Sequence, residues 1–203
     1  MKRAIAFAGR VHHRDRLMSV VNALRARGVE CPYQCSDNAT QNDPSSEYLI
    51  PAGEPFIDTL SVLESSDIQQ VTQMTHLMLN SIYSQGVGLG EDITAFHPPF
   101  WISYTVREAC EYLVAYRKLL EQYKPDIVFG LHEGNLWVRM NAYVCREMGI
   151  PHIVAQEGLL RTRDEKTQGK QGLACEYSSR MLVWSDSARQ AYISAGVPEE
   201  KVV

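Results

Sequence analysis

Short apolar runs alternate along the chain with segments of helical spacing. Residues 3–9 form an apolar run that ends in glycine and predicts a buried strand. Residues 12–27 place Leu17, Val20, Val21 and Leu24 on one helical face, and residues 29–35 predict the next strand. Strands and helices in this order are typical of a parallel sheet flanked by helices. The chain therefore begins as a Rossmann-like α/β fold.

The pattern then changes for about a third of the chain. Residues 36–54 are polar and rich in Asn, Asp, Pro and Ser, which predicts a loop. Residues 56–83 have a mainly helical but broken spacing, and the sequence FHPPFW at residues 96–101 predicts a rigid aromatic turn. We interpret residues 36–103 as an irregular and helical insertion in the first half of the fold.

The strand and helix alternation returns in the second half. The spacing predicts helices over 103–123, 135–148 and 185–195, and strands over 126–131, 153–156, 180–184 and from 201 onward. Residues 162–174 predict an exposed loop. We expect a single Rossmann-like domain over 1–203, composed of a first βαβ unit (1–35), the insertion (36–103) and a second βαβ half (104–203).

Two similar loops follow consecutive strands in the second half. His132-Glu133-Gly134 comes after the first strand and Gln156-Glu157-Gly158 after the second. In a right-handed βαβ unit both loops leave the same edge of the sheet, where open α/β sheets bind ligands. Glu157, Glu133 and His132 are therefore the predicted catalytic residues, with a carboxylate as general base. The alternatives are a capping or arginine-paired glutamate, and a His132 that packs against Trp137.

Other residues at strand ends are candidates for substrate binding. Glycine lets the backbone approach a ligand, and arginine binds phosphate or carboxylate through two donors. For Ser185 the alternative is a helix cap, and for Arg161 a solvated loop position. The predicted binding residues are Gly9, Arg10, His12, His13, Gly134, Asn135, Gly158, Arg161 and Ser185.

Composition narrows the class of protein. The formal net charge of −4 gives no electrostatic reason to expect nucleic acid. No apolar run approaches the roughly 18 residues that a membrane helix needs, and the charged N-terminus does not resemble a signal peptide. The five cysteines form no CxxC pair, so we expect no metal site. We also expect no tightly bound cofactor. The expected location is the cytoplasm.

A family resemblance adds to this interpretation. The segments PDIVFGLHEGN, GIPHIVAQEGLLRTRD and AGVPEEKVV resemble the first half of GT-B-fold enzymes. Two branches are similar: the capsule and CDP-glycerol glycerophosphotransferase type, and the UDP-N-acetylglucosamine 2-epimerases. Glu157 stands where the first branch has histidine. His132-Glu133-Gly134 stands where the second has an Asp- and Thr-rich loop.

The resemblance implies the acceptor-side domain of a nucleotide-sugar-dependent glycosyltransferase for surface polysaccharide or glycoconjugate synthesis. A C-terminal donor-binding domain is expected after residue 203, and catalysis would need it. The nucleotide sugar would be a substrate, and the acceptor a sugar or a lipid-linked sugar; a homo-oligomer is compatible with this interpretation. The alternatives are an NDP-sugar 2-epimerase and a non-catalytic module that binds a sugar nucleotide or a protein.

Overall fold

The computed structural model describes residues 1–8, 11–35, 54–86, 99–131, 133, 136–156 and 175–203. The chain divides into two compact units. One consists of Met1–Asp58 and Tyr123–Val203, and the other of Thr59–Gln122. We call them the sheet unit and the helical unit.

The sheet unit contains a six-stranded parallel sheet. Its strand order is β3-β2-β1-β4-β5-β6, and every neighbouring pair is parallel. The order reverses direction between β1 and β4, which makes this the topological switch point of a doubly wound fold. The predicted α/β, Rossmann-like class is confirmed. The strands are β1 (Ala4–Phe7), β2 (Tyr33–Cys35), β3 (Phe56–Asp58), β4 (Ile127–Leu131), β5 (His152–Ala155) and β6 (Arg180–Leu182).

Helices pack on both faces of this sheet. Helix α1 (Val11–Arg25) joins β1 to β2, and α4 (Leu136–Glu147) joins β4 to β5. These connections run in opposite directions across the sheet, so right-handed crossovers place the two helices on opposite faces. Two core clusters reflect this arrangement. The α1 cluster includes Ala4, Ala6, Ala8, Leu17 and Val21, and the α4 cluster includes Phe7, Val138, Val154, Met181 and Tyr192.

Gly130 in β4 has no side chain, which lets α4 lie close to the sheet. A Cβ atom added at Gly130 would lie 3.2 Å from Cγ1 of Val138 and 3.6 Å from Nε2 of His152. Interiors are close-packed, so even one methyl group at this position would require its neighbours to move.

The helical unit contains α2 (Asp67–Gly86) and α3 (Pro99–Tyr123). Its core consists of Val71, Val106, Cys110 and Val114. Lys118 pairs with Asp67 at 2.8 Å and with Glu64 at 3.3 Å. Across the described ranges, no helix is long and apolar enough to cross a membrane.

Several predicted element boundaries were wrong. Phe56–Asp58 is a strand rather than helix, because its backbone pairs with β2 in parallel register. A strand of three residues is too short for its periodicity to be detected. Helix α3 begins at Pro99, inside the predicted aromatic turn, and proline suits a first helical position. Near the end, Glu199–Lys201 is a 3₁₀ turn and only Val202 bridges to Met181. Helix α5 is Asp186–Ser194.

Candidate functional site

The carboxyl ends of the parallel strands define the candidate site. Three predicted site residues have described side chains: His13, Glu133 and Ser185. His12 lies within α1, but its side chain is outside the described residues. Also outside the described residues are Gly9, Arg10, His132, Gly134, Asn135, Glu157, Gly158 and Arg161. The parallel pairing of β4 with β5 confirms that the chain leaves both strands at one edge.

Glu133 is buried and its carboxylate is fully engaged. It is 1% exposed. Oε2 accepts hydrogen bonds from the backbone N–H groups of Glu176 at 3.0 Å and Tyr177 at 3.1 Å. Oε1 accepts from Tyr177 at 3.1 Å and Ser178 at 2.5 Å. Three consecutive amides thus form a concave anion site that this side chain fills. The described contacts of Glu133 are those of an anchor, and its catalytic role stays a prediction.

The turn that Glu133 binds, Cys175–Ser178, is held by other elements as well. Nζ of Lys201 donates to the carbonyl oxygens of Cys175 at 3.1 Å and Glu176 at 3.0 Å. The carboxylate of Glu176 forms an ion pair with Arg139 of α4. The amides and carbonyls of the turn therefore have partners of the appropriate charge. This turn fixes the point at which the chain returns from residues 157–174 into β6.

The ring of Tyr177 lies beside two arginines of α4. The guanidinium of Arg146 is 4.7 Å from its centroid and that of Arg139 is 5.4 Å away. Tyr143 meets Tyr177 edge-on at 5.5 Å between centroids. Cation–π and edge-to-face contacts of this kind add to the hold of α4 on the turn.

His152 contacts the same turn from β5. Its Nδ1 lies 2.8 Å from Oγ of Ser178. Burial lowers the pKa of His152 to about 3, because the imidazolium would be removed from water. Its Nε2 is buried and has no hydrogen-bond partner among the described residues. A neutral imidazole is therefore part of the packed interior at neutral pH.

Gln156 joins the ends of two neighbouring strands. It is buried, and its Oε1 accepts a hydrogen bond at 3.2 Å from the backbone N–H of Trp184. Trp184 itself is exposed, and the guanidinium of Arg16 lies 5.9 Å from its ring centroid. Sequence reasoning named Gln156 only as the neighbour of Glu157. The sequence did contain a signal for Gln156, because it is a polar amide directly after a buried strand.

Two further buried amides were missed. Gln34 lies near the end of β2, and its Oε1 accepts from Nδ2 of Asn141 in α4 at 3.4 Å. Both side chains are fully buried. Buried polar groups need hydrogen-bond partners, so this pair helps to set the distance between α4 and β2. Their signal was weak, because each stands alone among apolar neighbours.

His13 and Ser185 both lie where the strands end. His13 is buried in the first turn of α1, which follows β1 at the switch point. Oγ of Ser185 accepts from the backbone N–H of Ala188 at 3.2 Å and so caps α5. The capping alternative is the one that the structure shows for Ser185. Its predicted role in substrate binding stays a prediction.

The described part of the edge combines buried amides, a histidine and an exposed indole. Within the described ranges, no three His, Cys, Asp or Glu side chains group together as metal ligands do. All five cysteines are buried, and none of them is in a disulfide bond. The buried amides described at this edge hydrogen-bond within the protein, whereas the indole of Trp184 is exposed.

Comparisons with known proteins identify similar structures. No protein-family model matches the sequence, and a comparison with curated proteins finds no match. UDP-GlcNAc 2-epimerase from Methanocaldococcus jannaschii matches with a TM-score of 0.58 at 15% identity, over 100% of this chain and 45% of that one. The Neisseria meningitidis UDP-GlcNAc 2-epimerase bound to UDP-GlcNAc matches with a TM-score of 0.54 at 13% identity, over 100% and 46%.

A third solved structure is similar to this chain to a comparable degree. MurG from Acinetobacter baumannii matches with a TM-score of 0.51 at 11% identity, over 90% of this chain and 41% of that one. The chain thus spans less than half the length of these proteins. At such identities the likeness shows the fold alone. The chain has a GT-B-like, Rossmann-like α/β fold.

Proposed function

We propose that this chain is the acceptor-side half of a nucleotide-sugar-dependent enzyme of the GT-B type, and that the enzyme is a glycosyltransferase. One observation carries the proposal: the sheet has a topological switch point between β1 and β4, with candidate polar residues directly after its strands. Open α/β sheets bind ligands at such a point. Glycosyl transfer is supported by the sequence resemblance, and surface polysaccharide or glycoconjugate synthesis belongs to the same proposal.

Within this proposal Glu157 is the general base. Both oxygens of Glu133 already accept backbone hydrogen bonds, and moving this carboxylate would leave three amides without an acceptor. Glu157 is the other carboxylate that follows a strand of the same βαβ unit. It would take the proton from an acceptor hydroxyl as that oxygen attacks the anomeric carbon and the nucleoside diphosphate leaves. His132 and Arg161 would bind the anionic substrate beside it.

The experiment uses the full-length protein. Wild type, Glu157→Gln and Glu147→Gln are incubated with UDP-GlcNAc and a panel of sugar acceptors, and product is measured by mass spectrometry. Glu147 is an exposed residue at the end of α4 and serves as the matched control. We expect Glu157→Gln to lose about 100-fold or more in turnover, as removal of a general base does. Near-normal turnover of Glu157→Gln would exclude its role as the base.

An NDP-sugar 2-epimerase is the second candidate. The two UDP-GlcNAc 2-epimerases described above are matched over 100% of this chain, against 90% for MurG. Epimerisation exchanges the proton at carbon 2 of the sugar with solvent, whereas glycosyl transfer does not. Incubation in deuterium oxide without acceptor separates the two. Deuterium in the recovered sugar supports the epimerase and excludes the transferase; binding without any turnover supports a non-catalytic module.

A further inference from the structure

An exposed tryptophan stands at the carboxyl edge of the sheet. Trp184 follows β6 and is 58% exposed. It contrasts with Trp137, which packs partly buried against the α4 core cluster. Single exposed apolar residues are common on protein surfaces, so exposure by itself assigns no role to Trp184.

The contacts of Trp184 show that it is held in place. Its backbone N–H donates to Oε1 of buried Gln156 at 3.2 Å. The next residue, Ser185, caps α5 and so fixes the backbone on the other side. The guanidinium of Arg16, in α1, lies 5.9 Å from the ring centroid. The indole is therefore presented from a fixed backbone with the guanidinium of Arg16 over one side of its ring.

The position of this pair relates it to ligand binding. Residues after β6 and in the first turns of α1 both lie at the carboxyl edge of the sheet, because the strands are parallel. A flat indole offers a large apolar surface to a ligand, and binding orders few side-chain torsions. Its polar N–H edge can stay in water. Arginine binds phosphate through paired donors.

We propose that Trp184 and Arg16 form a binding platform for a pyranose ring that carries a phosphate group. The C–H face of the sugar stacks on the indole, and the phosphate pairs with the guanidinium. The platform rests on the proposed function, because it names the substrate class of the same edge. Neither residue was among the candidates that the sequence suggested.

The test measures binding to the full-length protein. N-acetylglucosamine 1-phosphate carries the sugar and the phosphate without a base, and UMP carries a base and a phosphate without the pyranose. These two ligands and UDP-GlcNAc are titrated by calorimetry into wild type, Trp184→Ala, Trp184→Phe, Arg16→Ala and Phe56→Ala. Phe56 is the matched control, because it is 53% exposed and begins β3 at the opposite edge of the sheet.

We expect Trp184→Ala to weaken binding of N-acetylglucosamine 1-phosphate by about tenfold or more, as loss of a stacked aromatic does. Trp184→Phe retains most of the affinity and Phe56→Ala retains all of it. Arg16→Ala weakens binding of the sugar phosphate, and UMP binding is unaffected by Trp184→Ala. Trp184 is one of three tryptophans, so ligand quenching of fluorescence that disappears in Trp184→Phe adds a direct signal.

Other outcomes overturn the platform in distinguishable ways. If wild type binds the sugar phosphate and Trp184→Ala binds it equally well, the platform is wrong and the proposed function stands. If UMP loses as much affinity as the sugar phosphate, the indole stacks on a base rather than a sugar. If Trp184→Ala changes the oligomeric state instead of binding, the indole is a protein contact. If wild type binds neither UDP-GlcNAc nor the sugar phosphate, the platform and the proposed function both fail.

Discussion

The carboxylate of Glu133 binds the backbone N–H of Ser178 across the sheet unit, 45 residues along the chain. Glu133 follows β4, and Ser178 precedes β6, so the contact ties the two ends of the β4–β5–β6 connection together. The same carboxylate accepts from the two amides before Ser178. A residue that the sequence suggested as a catalyst thus holds the return of the chain into the sheet.

Removal of this carboxylate is expected to destabilise the fold. Glu133→Ala leaves three backbone amides, of which that of Ser178 is buried and the other two are partly buried, without their acceptor. We expect a loss of about 1–3 kcal/mol in the free energy of unfolding. Glu133→Gln keeps one acceptor oxygen and should lose less. Urea denaturation measures both, with Glu147→Gln as an exposed control. A change below about 0.5 kcal/mol in Glu133→Ala, the range of ordinary surface substitutions, would show that the anchor is unimportant for stability.

The buried His152 predicts a pH dependence of stability. Its pKa falls from 6.5 to about 3 on folding, because burial disfavours the imidazolium. Between these two values the unfolded chain binds a proton that the folded chain does not. Stability from this group is therefore fully present above pH 6.5 and is lost as the pH falls toward 3. The expected slope inside the window approaches about 1.4 kcal/mol per pH unit.

The measurement is a series of urea unfolding curves between pH 4.5 and 7.5 for wild type and His152→Gln. The difference between the two proteins isolates this site from the carboxylates that titrate in the same range. His76→Gln, at an exposed position in α2, is the matched control. An identical pH slope in wild type and His152→Gln would contradict the assignment.

A side chain added at Gly130 is expected to overpack the space between β4 and α4. Gly130→Ala places a methyl group 3.2 Å from Cγ1 of Val138, and we expect it to cost about 1–3 kcal/mol. The double variant Gly130→Ala with Val138→Ala should lose less than the sum of the two single variants, because the second change makes room for the first. Thermal unfolding measures all three. Strict additivity would mean that the two side chains do not share this space.

Substitution of Ser185 can separate its two predicted roles, which are helix capping and substrate binding. Loss of the cap in Ser185→Ala should reduce stability by about 1 kcal/mol. If capping is its whole role, the affinity for N-acetylglucosamine 1-phosphate stays unchanged at temperatures where the variant is folded. Ser187→Ala is the control, because its Oγ touches that of Ser185 at 2.9 Å without capping the helix. A loss of affinity confined to Ser185→Ala would support the ligand role instead.

Residue patterns predicted much of the sheet unit. The apolar runs of β1, β4 and β5 and the helical spacing of α1 and α4 were each placed within a few residues, because their periodicity is strong and local. The shared edge of β4 and β5 also followed from the right-handed crossover rule. The strand β3 was missed, since three residues carry too little pattern and its partner β2 is distant in sequence.

The sequence by itself determined the class of the fold and the edge at which to look for a site. Apolar periodicity depends on neighbours along the chain, and it specifies which elements form and which faces they bury. Only the tertiary structure decided what Glu133, Gln156 and Trp184 contact. Their partners lie in other elements, so the same residue types are compatible with catalysis, anchoring or stacking until the chain has folded.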